Sequence, residues 1–383
     1  MTPAPPVVDI LARLVAFDTV SRNSNLDLIA FAQEVLEKAG ASSRLTYDAD
    51  KRKANLFATL GPKRDGGYVL SGHSDVVPVE GQDWSSAPFK AEARDGRLYG
   101  RGSADMKGFI AVALSLAPEF ARLDLKRPLH FAFSFDEEVG CVGVRRLLDD
   151  LAAANIKPAL AIIGEPTEMR VVAAHKSGSL IETIARGREG HSSAPLRGAS
   201  AVMMAGEFIA SLASLGNELM ADRDEFFDPP YTTLQANMMS GGTAVNVLAR
   251  DAKVIWEYRG LPDRDTNTIF ERAVAQAEAI LPRYRVGAPE AKFETRIKAA
   301  YPGLARDEHS PAVQLAASLT GSNEIHSVAY GTEAGLFQAA GIPAVVCGPG
   351  SIQQAHRADE FVALDQLDAC ASFLRRVAAR ATE

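Results

Sequence analysis

The sequence predicts an α/β protein: a catalytic domain with a mostly parallel sheet covered by helices, interrupted by a smaller α+β sandwich. Three observations predict it. Strand-like and helix-like segments alternate from residue 7 to residue 166, the pattern of a sheet covered by helices. One of those strands, "PALAIIGEP" (158–166), is a continuous apolar run, as a strand buried on both faces should be. From about residue 178 to residue 300 the pattern changes to alternating strands around two helical stretches, and after Pro302 the α/β pattern resumes.

Taken in order, residues 7–19 and 26–39 carry apolar side chains at helical spacing, and Gly40 is a stop signal after the second. "NLFATLG" (55–61) and "GGYVLSGHSDVVPV" (66–79) read as strands. Residues 105–122 read as a helix led by Asp105, "RPLHFAFSF" (127–135) as a strand and 142–154 as a helix. In the interrupting segment, 179–195, 233–242, 252–262 and 291–300 read as strands, while 198–219 and 266–281 are helical. This arrangement fits two helices on an antiparallel sheet. Helices at 310–319 and 333–340, a strand at 343–348 and a helix at 365–380 close the chain. The domain expectation is therefore 1–177 with 301–383 for the first domain, and 178–300 for a lid or dimerisation domain.

At 383 residues the chain is long for one ordinary core, which favours two domains. A net charge of −7 argues against a nucleic-acid or anionic-membrane partner. No apolar run reaches the ~18 residues of a membrane span. The opening "MTPAPPVVDILARLVAF" has no basic stretch leading into an apolar one, so no secretory leader is expected. Cys141, Cys347 and Cys370 are scattered and lack CxxC spacing, which points to a reducing compartment and away from thiolate zinc. The expectation is a cytoplasmic enzyme.

Acids and histidines collect where strands end, the side on which open α/β sheets bind ligands. His73 and Asp75 follow one strand, Glu137 and Glu138 another, and Glu165 a third; Asp105 sits in a Gly-rich loop and His356 in a loop after the strand at 343–348. The run Asp136-Glu137-Glu138 is costly: two carboxylates about 5 Å apart repel by roughly 3 kcal/mol at an effective dielectric near 20. Each residue alone has a plain reading. Asp105 could be a helix N-cap, Glu165 a turn residue, and a lone His73 structural. Together, two histidines and several carboxylates without thiolates form the ligand set of a hydrolytic zinc or mixed Zn/Mn/Co site. Cations would turn the carboxylate repulsion into attraction.

The segments "SGHSDVVP", "YGRGSADMKG", "DEEVG", "GEPT", "GREGHSSAP", "GGTAVNVLA" and "AHRADEF" resemble, in order and over nearly the whole chain, those of the M20 family of metallo-aminoacylases and peptidases. Residues 330–361 and "HKSG" (175–178) are most similar to the branch that removes acetate from N2-acetylornithine. The resemblance implies two divalent metal ions, zinc by default, with cobalt able to substitute. His73 and Glu165 would hold one ion, Glu138 and His356 the other, and Asp105 would bridge them. It also implies Glu137 as general base and Asp75 as the carboxylate that fixes the His73 ring. Glu137 and Glu138, as strand neighbours, would face opposite sides. His191 and Asn246 would supply oxyanion donors, often across a dimer interface, and Arg259 would bind a substrate α-carboxylate. Without the resemblance, His191 reads as a solvated turn residue and Arg259 as the partner of a nearby acid. Glu333 either contacts a substrate amine or caps the helix that follows it. The implied partners are a small N-acyl amino acid and a second copy of the chain. Desuccinylation, broader aminoacylase or dipeptidase action, and a non-catalytic metal-binding scaffold are the alternatives.

Overall fold

The computed structural model of the chain describes residues 6–322 and 324–383. From the N-terminus, α1 (Val7–Val15) and α2 (Leu26–Lys38) precede β1 (Ser42–Tyr47), β2 (Ala54–Leu60) and β3 (Tyr68–His73). The short strands β4 (Glu92–Arg94) and β5 (Arg97–Tyr99) lead to α3 (Lys107–Phe120), β6 (Leu129–Ser134), α4 (Val142–Ala153), β7 (Leu160–Pro166) and β8 (Val171–His175). Then come β9 (Ser177–Arg186), α5 (Ala201–Leu219), β10 (Thr233–Gly241), β11 (Asp251–Gly260), α6 (Asn267–Arg285) and β12 (Lys292–Tyr301). The chain ends with α7 (Pro311–Thr320), β13 (Ile325–Val328), α8 (Ala334–Ala339), β14 (Ala344–Gly348), β15 (Phe361–Ala363) and α9 (Leu364–Arg380).

Two compact units result. The first comprises residues 1–174, 304–326 and 332–383; the second comprises 175–303 and 327–331. The second unit thus takes in a short segment, 327–331, that lies outside the span 178–300.

The large sheet has the order β1-β2-β6-β3-β7-β14-β8-β13. Its centre, β6-β3-β7-β14, is parallel, while β1 and β2 on one flank and β8 on the other pair antiparallel. Strands β2, β3, β6, β7 and β14 are buried almost throughout, which explains their unbroken apolar runs. Helix α3 is buried on nearly every side and packs on α1, α9 and the sheet. A helix apolar all round is the expected sequence for that position. Gly164 on β7 permits the approach: a Cβ there would lie 1.9 Å from the Phe109 ring of α3.

The second unit carries an antiparallel sheet ordered β10-β11-β9-β12, with α5 packed on it and against α6. Alternate residues of β11 are buried, and Trp256 is fully enclosed, its indole N–H donating to Thr183 Oγ1 at 2.9 Å. Two expected strands are shorter than their alternation suggested. β3 stops at His73 rather than running to 79, and β9 stops at Arg186 rather than 195, leaving "GREGHSS" as irregular chain pinned by isolated bridges.

Candidate metal centre

Parallel pairing brings strand ends together. In register, His73 lies opposite Ser134, so the end of β3 adjoins the turn that carries Glu137 and Glu138. Glu165 lies at the end of β7, and Gly348 of β14 pairs with Pro166, which starts the His356 loop at the same edge. Asp105 lies two residues before the start of α3, next to its N-cap Met106. Five segments distant in sequence thus share one sheet edge, all within the first unit.

Asp105 is the pivot. Its Oδ1 lies 3.0 Å from His73 Nε2 and its Oδ2 3.4 Å from His356 Nε2. His73 Nε2 is also 3.7 Å from Glu165 Oε1, and His356 Nε2 is 3.0 Å from Glu138 Oε2. One carboxylate therefore has an imidazole–carboxylate pair on each of its two sides. Ligand atoms of His73, Asp105 and Glu138 all lie within 4.8 Å of one another, so a single small ion could touch all three. His73, Asp105, Glu138 and Glu165 are held in the interior, whereas His356 is exposed.

The ring of His73 is oriented by a different group from the one expected. Its Nδ1 donates to the backbone carbonyl of Asp75 at 2.9 Å, while the Asp75 carboxylate is 3.7 Å away. A carbonyl only accepts, so Nδ1 carries a proton, and Nε2 is the ring nitrogen turned towards Asp105. The Asp75 carboxylate instead accepts the backbone N–H of Glu137 (3.0 Å) and of Glu138 (3.3 Å), and the Ser21 hydroxyl (2.7 Å). It thereby fixes the acidic turn. Strand pleating does not separate Glu137 from Glu138: β6 ends at Ser134, and the two acids occupy the bend and turn beyond it. Asp136 turns elsewhere, with both carboxylate oxygens 2.6–2.7 Å from Lys53 Nζ. Glu333 occupies the N-cap position of α8 without a side-chain capping bond; it is buried with Oε1 on the Ser134 hydroxyl, and its Oε2 has no partner among the described residues.

Burial dominates the electrostatics. Burial and the charges of Glu138 and Glu333 raise Glu137 well above the usual carboxylate range, against the pull of His73. Burial likewise raises Glu165 well above it, and burial with Asp105 lifts Glu138 to about 7. Glu333 also rises to about 7 through burial. For His73 burial works downward, but Glu165 and Asp105 outweigh it and hold the ring well above its ordinary value. Hydrogen bonds to Asp105 and Glu138 lift His356 to about 10. Burial resists ionisation of Asp105, yet the two imidazoles keep it well below the carboxylate range. Crowded acids that resist ionisation until positive charge arrives, with oxygen and imidazole donors and no thiolate, fit a hard or borderline divalent ion such as zinc.

The remaining expected residues lie in the second unit. His191 and Val247 form an isolated bridge, and Ser192 N–H donates to the Asn246 carbonyl at 3.1 Å, so His191 and Asn246 are exposed neighbours. Arg259 on β11 donates to Glu257 (2.9 Å) and to the Tyr301 hydroxyl, the paired state its neighbours permit.

Comparison with known proteins gives this geometry a family. Residues 69–380 match the model of peptidase family M20/M25/M40. The chain belongs to that family. As an M20 hydrolase it is metal-dependent, and the cluster around Asp105 is its candidate metal site. It is 38% identical to an acetylornithine deacetylase of Myxococcus xanthus over 377 residues, 96% of each chain. Among solved structures its fold is similar to an M20 metallo-carboxypeptidase of Sulfolobus solfataricus, with TM-score 0.78 at 17% identity over 99% of each chain. It is also similar to a dinuclear metal-binding M20 peptidase of Bacillus subtilis, with TM-score 0.66 at 17% identity over 98% of this chain and 97% of that one. Among the described residues no helix is long and apolar enough to cross a membrane.

Proposed function

We propose that this M20 hydrolase removes acetate from N2-acetyl-L-ornithine to give L-ornithine, using two divalent ions, zinc by default. The observation that carries the two-ion reading is Asp105, flanked on one side by His73 and Glu165 and on the other by His356 and Glu138. The substrate is supported by the 38% identity to a deacetylase of that name across 96% of the chain.

Bound there, a pair of ions supplies an acidified water and a polarised amide carbonyl. The protein's own part is proton handling and placement. Glu137, whose backbone is fixed by Asp75, takes a proton from the attacking water at a carboxylate oxygen. Oxygen bonds to the acetamide carbon, the C–N bond breaks, and Glu137 returns the proton to the departing amine. A buried carboxyl that tolerates protonation suits that two-step role. His191 and Asn246 as oxyanion donors, and Arg259 as the α-carboxylate partner, are assigned on the resemblance of their segments alone. Dimerisation is assigned in the same way, and light scattering on purified protein checks it.

A panel of N-acyl amino acids tests the substrate. The metal-loaded protein should have its highest kcat/KM on N2-acetyl-L-ornithine, above acetylmethionine, N-succinyl-diaminopimelate and dipeptides. No preference for acetylornithine would sink the assignment, and no hydrolysis of any member would favour a non-catalytic scaffold.

A further inference from the structure

Glu360 lies four residues beyond His356 and is completely buried. Its Oε1 accepts the backbone N–H of Ala104 (2.9 Å) and of Asp105 (3.0 Å). Its Oε2 accepts the N–H of Gly102 (2.9 Å) and Nη1 of the buried Arg101 (2.7 Å), and its own carbonyl accepts the N–H of Gly100 (2.9 Å). One residue of the His356 loop therefore anchors the whole loop that delivers Asp105.

The connection returns by a second route. Arg101 Nη2 donates to Gln82 Oε1 at 2.6 Å, and Gln82 Nε2 donates to the backbone carbonyl of His356 at 2.8 Å. The Trp84 indole N–H also donates to Gln82 Oε1 at 3.1 Å, and the Arg101 guanidinium lies over the Trp84 ring. The ring of contacts runs His356–Gln82–Arg101–Glu360–Asp105, and none of the three intermediate side chains is a ligand candidate.

His356 needs such support. It is exposed, and its φ is +62°, a left-handed conformation that a non-glycine residue keeps only when its surroundings hold it. His73 is held differently, as the last residue of a buried central strand.

We infer that Glu360, with Arg101 and Gln82, is a positioning group that sets the spacing of Asp105 and His356 and so governs affinity chiefly for the ion on the His356 side, with a smaller effect on the ion on the His73 side, which shares Asp105. This rests on the two-ion reading proposed above. Outer partners of metal ligands typically carry roughly 10–100-fold in metal affinity.

The test is stepwise zinc binding to the chelated full-length protein, read by competition with a chromogenic chelator. Wild type should bind two ions per chain. Glu360→Gln should bind the second ion roughly 10–100-fold more weakly, with a smaller loss for the first. Gln82→Ala, at a half-buried position that should not threaten folding, removes one hydrogen bond to the His356 carbonyl and should weaken the second ion by roughly 5-fold. For both variants kcat should recover at saturating zinc more fully than at stoichiometric zinc. Wild-type affinity for both ions in folded Glu360→Gln and in Gln82→Ala overturns the inference while leaving the two-ion reading intact. If Glu360→Gln does not fold, Gln82→Ala decides alone. A wild-type chain that binds a single ion overturns both.

Discussion

Glu137 and Glu138 are adjacent in sequence yet have different surroundings: Glu138 meets His356, while Glu137 lies near the Cys141 thiol and the charge of His73. The Asp75 carboxylate holds both through their backbone amides, so removing either side chain leaves the turn anchored. Glu137→Ala should therefore retain its metal content and lose roughly 10²–10⁴-fold in kcat, the usual worth of general acid–base catalysis. Near-wild-type turnover in that variant would show that another group carries the proton. The third acid of the run has a plain explanation, since Asp136 is neutralised by Lys53 rather than by the ligand cluster.

Among the elements, β7 and α3 decide how close the ligand-bearing strand can come to the buried helix. Gly164 precedes Glu165, and any side chain there meets the Phe109 ring. Gly164→Ala should lower stability by about 1–3 kcal/mol, the usual cost of overpacking a core, in urea denaturation. Phe109→Leu in the same chain should restore part of that loss, because the two residues are in contact. Additive losses in the double variant would mean that the contact is not what limits position 164. The buried strands were legible in the sequence because burial on both faces leaves unbroken apolar runs, as in β7. β1 was not legible: it is a polar flanking strand, "SSRLTY", with no fully buried residue. Most of the site was legible too, since the topology of parallel strands gathers acids and histidines at one edge. What the sequence could not reveal was which oxygen serves which donor. The grip of the Asp75 carboxylate on Ser21 and Glu137, and the contacts of Glu360 with Arg101 and of Gln82 with His356, join residues 54–274 positions apart.

At the scale of the whole molecule, the cluster links stability to pH and metal together. In chelated protein, Glu138 raised to about 7 and His356 raised to about 10 are both stabilised in their protonated forms. Stability from Glu138 is complete below its ordinary value of 4.5 and is lost as pH rises towards 7. That from His356 is complete below 6.5 and is lost as pH rises towards 10. Zinc requires the deprotonated ligands, so its binding releases protons and strengthens as pH rises. The rise in Tm on adding saturating zinc should therefore be larger at pH 8.5 than at pH 6. A zinc-induced shift that shrinks over that interval would contradict the ligand assignment.

The paired ligand sets around Asp105 are proposed to hold the two ions that hydrolysis of N2-acetyl-L-ornithine requires, and the most direct test is acetate release followed while zinc is returned to chelated protein. Activity should be absent after chelation and should rise until two ions per chain are bound, with the His356→Ala variant retaining one ion and little activity. Undiminished hydrolysis by the chelated protein, or full activity in a His356→Ala chain that binds only one ion, would contradict it.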